Sequence, residues 1–121
     1  MKLMIVEDHV VVRKKICELL ARRDVEIREC ASGEEAIRTA REFLPDWIIM
    51  DVNLPGINGF EATATIRKKV PSARIAIICA EEKNYLREEA DAAGAELFLS
   101  KHRLVQLPRM LYGDSPSPPV A

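Results

Sequence analysis

Three carboxylates and one ammonium stand at the ends of short apolar runs in this chain. Glu7 and Asp8 follow "KLMIV", Asp51 follows "WIIM", and Lys101 follows "AELFLS". Three acids brought together repel one another and raise one another's pKa values. A hard divalent cation relieves that repulsion, and Mg2+ suits oxygen ligands with some retained water. A lysine beside it would offer positive charge to any anion that joins the metal. Each residue also has a plainer reading. An Asp at a strand end commonly bonds turn amides, Glu7–Asp8 before a helix can cap it, and a single Lys is usually solvated. Only their meeting at one edge of one sheet would make a site, so the elements that carry them decide the matter.

Those elements alternate. Lys2–Val6 reads as a strand, and Val12, Ile16, Leu19 and Leu20 recur at helical spacing within about 10–23. Val25–Cys30 is a second strand. "ASGEEAIRTAREF" follows, with Ser32 and Glu35 in a capping-box pattern and Ala36, Ile37, Ala40 and Phe43 as the apolar face. Trp47–Met50 is apolar at consecutive positions, which suits a parallel strand covered on both faces. Gly59–Lys69 reads as a helix whose Arg67, Lys68 and Lys69 form a solvated basic end, and "RIAIIC" is a fourth buried strand. Glu82–Ala93 is a thinly apolar helix with Leu86, Ala90 and Ala93 facing inward and Gly94 as its stop. Ala95–Leu99 is a fifth strand and Arg103–Met110 a last helix, which Pro108 should shorten or kink. Five strand–helix repeats predict an α/β domain with one doubly wound parallel sheet and right-handed crossovers. Ligands of such sheets sit beyond the carboxyl ends of the strands, where all four charged residues fall.

Composition sets the bounds. The 121 residues suffice for one domain with its own core, 1–112, followed by a Pro/Ser tail, 113–121 ("GDSPSPPVA"), expected to be disordered. Eighteen basic residues face nineteen acidic ones, a net charge of -1, which argues against a broad polyanion-binding surface and hence against direct nucleic-acid binding. Cys17, Cys30 and Cys79 are widely spaced, as for reduced thiols in a cytoplasmic protein. No run is long enough to cross a membrane or to act as a signal peptide.

"KLMIVEDHVVVRKKICELL", "WIIMDVNLPGINGFEATATIR" and "AGAELFLSK" resemble the response-regulator receiver domain of two-component signalling, over residues 2 to 111. The resemblance implies a five-stranded (βα)5 sheet in the flavodoxin-like order 2-1-3-4-5. It implies that Asp51 accepts a phosphoryl group from a sensor histidine kinase or phosphotransfer protein. Asp8 and Asp51 would bind Mg2+ directly, Glu7 through water, and the Asn53 backbone carbonyl would complete the protein ligands. Lys101 would contact the phosphoryl oxygens. Asn53 and Glu81 occupy positions where the family tunes hydrolysis, and "LPG" with Gly59 matches its loop. The activity would be confined to self-phosphotransfer and autodephosphorylation. Phosphorylation would alter protein contacts made through the face of helix four, strand five and helix five near Tyr85 and Asp91–Ala93, and a homodimer is compatible with it.

The chain departs from that pattern in three places. Cys79 stands where the family has a switch Thr or Ser, and a thiol donates more weakly than a hydroxyl. Phe98 holds the switch-aromatic position without a hydroxyl of its own. Weakened coupling and a tolerated near-isostere are both open readings of Cys79, whereas a redox role is disfavoured because Asp51 and Glu81 would push its pKa upward. Lys101 is followed by His102, not proline, as in receivers joined to helix-turn-helix outputs; His102 and His9 then read as surface residues. No output domain follows in the sequence, consistent with either a stand-alone receiver or a receiver cut from a longer chain. Two alternatives compete. One is a receiver-like interaction module that has lost switching. The other, an Asp-nucleophile phosphohydrolase of the haloacid-dehalogenase type, is disfavoured because Asn53 stands where it needs a second Asp.

Overall fold

Ile48–Met50 and Ile75–Ile78 are wholly buried, as only strands covered on both faces can be. In the computed structural model, which describes residues 1–113, they are the middle of a five-stranded parallel sheet. The strands are β1 (Lys2–Val6), β2 (Glu26–Cys30), β3 (Trp47–Asp51), β4 (Arg74–Cys79) and β5 (Leu97–Ser100), in the order β2-β1-β3-β4-β5. The helices are α1 (Val10–Leu20), α2 (Gly33–Phe43), α3 (Gly59–Lys69), α4 (Asn84–Ala93) and α5 (Leu107–Tyr112). Strand periodicity divides the core in two. Met4, Val6, Ile48, Met50, Ile75 and Ile77 pack with Ala36, Ala40, Phe43, Ala62, Ile66 and Ala90 of α2, α3 and α4. Leu3, Ile5, Ile49, Ile78 and Leu99 pack on the other face with Ile16, Leu20, Leu107 and Leu111 of α1 and α5. Each such large aliphatic side chain contributes about 1.5–3 kcal/mol by leaving water.

Several boundaries differ from the sequence expectation. α1 stops at Leu20, short of Arg23. β5 starts at Leu97, because the Ala95 amide is still donating to the Ala90 carbonyl beyond the left-handed Gly94. α4 begins at Asn84, since the Glu82 carboxylate is bonded away from the helix, to the Ser100 amide. The last helix is two pieces, a 3-10 helix Lys101–Gln106 and then α5. Pro108 kinks neither: it lies in the first turn of α5, where a missing amide costs nothing. Ser32 accepts from the Glu35 amide as expected, but the Glu35 carboxylate bonds the Ala31 amide, so the box does not close on Ser32. A closed box forms at α3 instead, between Asn58 and Glu61. Arg67 is no solvated end. Its guanidinium donates to the carbonyls of Ala73 and Gly94, each at 2.8 Å, and pairs with Glu96. The expected tail lies outside the described residues beyond Gly113.

Candidate functional site

Register brings the charged ends together. Val6 pairs with Met50, Asp51 with Ile78, and Cys79 with Ser100, so Glu7, Asp51, Cys79 and Lys101 all emerge at one edge of the sheet. That edge is the switch point of the strand order, where β1 and β3 send their crossovers to opposite faces. The turn after β3 is tight. The Val52 amide donates to Ile78, and the Gly59 amide returns to the Val52 carbonyl at 2.9 Å. A Cβ on Gly59 would strike the Asp51 carbonyl oxygen, so the loop closes only with glycine there.

The pocket is acidic, and two of its three acids are buried. Glu7 is 0% exposed and Asp51 2%, while Asp8 is open to solvent. One oxygen from each of the three lies within 4.8 Å of the others. Lys101 Nζ lies 2.8 Å from Glu7 Oε1 and 3.2 Å from Asp51 Oδ1. Both oxygens are buried, and the angles to Lys101 fall outside hydrogen-bond geometry. Burial, then the Glu7 charge, push the Asp51 carboxyl up to about 6 against the pull of Lys101. Burial opposes the Lys101 ammonium, yet Glu7 and Asp51 outweigh it and raise its pKa. Around Glu7, the His9 amide donates to Oε2 at 3.3 Å and Arg13 Nη1 to the backbone carbonyl at 2.8 Å. Arg13 was not legible as a site residue, because only the fold turns α1 toward this carbonyl.

The remaining expected residues divide. Cys79 is 2% exposed, and its thiol donates to the Glu81 carbonyl at 3.0 Å and weakly to Leu99 at 3.7 Å. Burial raises its pKa, followed by the charges of Glu82 and Asp51; the acid beside it is thus Glu82, not Glu81. Phe98 is 8% exposed under α4, with the Arg87 guanidinium 5.0 Å from its ring centre. Asn53 has an exposed side chain. Glu81 also faces solvent, 3.1 Å from Lys83. His9 and His102 are exposed, as expected.

Residues 3–111 match the family model of the response regulator receiver domain. The transcriptional activator protein ExaE of Pseudomonas putida is 37% identical over 84% of this chain and 48% of its own length. The DNA-binding transcriptional activator EvgA of Escherichia coli K12 is 34% identical over 84% of this chain and 50% of its own. The chain thus spans about half the length of these curated relatives. A LuxR-family two-component response regulator from Aurantimonas sp. SI85-9A1 superposes with a TM-score of 0.81 at 35% identity, covering 93% of this chain and 85% of that one. The response regulator domain of Thermotoga maritima CheB gives 0.80 at 27% identity, covering 93% and 90%. Among the described residues no helix is long and apolar enough to cross a membrane.

Proposed function

The chain belongs to the response regulator receiver domain family, and from that premise we propose that Asp51 is its phosphoacceptor, charged by a phosphohistidine on a sensor histidine kinase or phosphotransfer protein. The observation that carries this reading is the buried Asp51 carboxylate, grouped with Glu7 and Asp8 and facing the Lys101 ammonium. An Asp51 oxygen attacks phosphorus in line. The P–N bond breaks as the P–O bond forms, and the imidazole leaves with the bonding electrons. Lys101 shifts from its pair with Glu7 onto the phosphoryl oxygens and steadies their charge.

Two buried carboxylate oxygens without hydrogen bonds, beside the exposed Asp8, fit a hard cation. Asp8, Asp51 and the Asn53 carbonyl would hold Mg2+ directly and Glu7 through water; when bound, the metal offsets charge on the transferred oxygens. Water returns Asp51 to the free acid, with Asn53 and Glu81 tuning its approach. Cys79 and Phe98 relay the change toward α4. The domain is read as cytoplasmic, switching protein contacts without touching nucleic acid itself. Transcription would belong to an output half of the kind implied by the names of ExaE and EvgA.

A second reading has one observation in its favour. The Cys79 thiol is already engaged with the Glu81 carbonyl, which fits a module whose switching is weakened. Incubation with Mg2+ and acetyl phosphate, followed by intact mass, tests the first reading. One added phosphoryl group is expected on the wild type and none on Asp51→Asn. An unmodified wild type, or an equally modified variant, would sink it.

A further inference from the structure

Glu82 lies in the loop between β4 and α4, with its side chain 24% exposed. It does not act as a helix residue. Its Oε1 accepts the Ser100 amide at 2.8 Å and Arg103 Nη1 at 2.8 Å. Its Oε2 lies 3.8 Å from Arg87 Nη2, and Arg87 in turn covers the Phe98 ring at 5.0 Å. Arg103 is itself braced by Gln106 at 3.0 Å. One carboxylate therefore ties the β4–α4 loop to the last residue of β5, to the 3-10 helix and to α4.

Ser100 immediately precedes Lys101, whose ammonium must reach Glu7 and Asp51 across the pocket. The backbone here is the point from which that side chain departs. His102, an exposed residue that lacks the backbone-closing ring of proline, follows it. Ser100 and Arg103, on either side of Lys101, both bond the same Glu82 oxygen. A charge-assisted acceptor holding both flanks restricts where Lys101 begins. The same acceptor is attached to the loop that carries Cys79's partner, the Glu81 carbonyl.

We propose that Glu82 is a positioning residue for Lys101, clamping the Ser100–Arg103 segment so that the ammonium faces Asp51, and that it joins this junction to α4 through Arg87. The proposal rests on the phosphoacceptor reading of Asp51. The clamp bonds join Glu82 to Ser100 and Arg103, none of them a proposed metal ligand, so the first test needs no metal. Hydrogen exchange of the Ser100 amide is expected to quicken about tenfold in Glu82→Ala, where a charge-assisted bond is lost, and to be largely restored in Glu82→Gln, which keeps an acceptor. Glu88→Ala, on the outer surface of α4, leaves it unchanged.

The second test is a double-mutant cycle on binding of beryllium fluoride, a phosphoryl mimic, with Mg2+ present. Glu82→Ala is expected to weaken binding about fivefold in the wild-type background and less than twofold in Lys101→Met, because its effect passes through Lys101. An unchanged Ser100 amide overturns the clamp. Equal weakening in both backgrounds overturns the action through Lys101 and leaves a purely structural bond. A wild type that gains no phosphoryl mass fails the phosphoacceptor reading instead, and the Ser100 exchange still judges the clamp.

Discussion

Cys79 puts a sulfur atom at the position where the receiver pattern has a hydroxyl. A hydroxyl at this position would be a full donor to a phosphoryl oxygen, whereas the thiol is a weak one and is spent on the Glu81 carbonyl. Moving it toward a phosphoryl group on Asp51 would first break that bond. The side chain is buried and its pKa is raised, chiefly by burial, so it stays a neutral thiol at physiological pH. Cys79→Thr is therefore expected to enlarge the phosphorylation-dependent shifts of α4 amides, measured by NMR with acetyl phosphate and Mg2+. The shifts to follow are those of Leu86, Arg87 and Ala90, which lie on the inward side of α4 or against Phe98. Identical shifts in the two proteins would show that sulfur serves as well as oxygen here.

At the scale of elements, the loop from β3 to α3 fixes where Asp51 ends up. The strand stops at Asp51, the Val52 carbonyl takes the Gly59 amide, and α3 starts under the Asn58–Glu61 box. Gly59→Ala would drive a methyl into the Asp51 carbonyl and the Val52 backbone, neither of which can swing aside. It is expected to cost about 1–3 kcal/mol in urea unfolding and to slow phosphorylation of Asp51. Gly33→Ala is the comparison, since its methyl presses chiefly on the rotatable Ile57 side chain and not on backbone; equal stability of Gly59→Ala and wild type would refute the steric reading. Strands β1, β3, β4 and β5 were legible because their apolar runs are continuous, and their ends carry Glu7, Asp8, Asp51 and Lys101; β2, EIREC, has no such run. Glu82 was not legible. Its partners Ser100 and Arg103 lie far along the chain, and helix propensity alone assigned it to α4. The last helix was misread for a related reason: Leu104 and Leu107 both face the core, so the apolar pattern runs unbroken through a 3-10 helix and an α-helix.

For the whole molecule, the sheet spends stability to keep a carboxylate in a buried, acidic pocket. The Asp51 carboxyl titrates near 6 when folded against an ordinary value of 3.8. Between those values the folded protein holds a proton that the unfolded chain releases, so stability falls as pH rises from about 4 to about 6 and stays low above. Two pKa units correspond to an upper limit of about 3 kcal/mol. The raised pKa of Lys101 has the opposite sense, stabilising until pH passes its own alkaline value, and leaves this window alone. Urea unfolding in a chelator should therefore show wild type losing stability from pH 4.5 to 7 relative to Asp51→Asn, which has no such proton to lose. Mg2+ held by Asp8 and Asp51, as proposed above, would bind only the folded form, so at pH 7 it should restore stability to wild type as its concentration passes the dissociation constant, and much less to Asp51→Asn. Parallel pH curves for the two proteins in chelator would mean that Asp51 is not strained by its burial. The proposed cation would then meet acids already at ease, and Lys101 would be left as the group that readies the pocket for the proposed phosphoryl transfer.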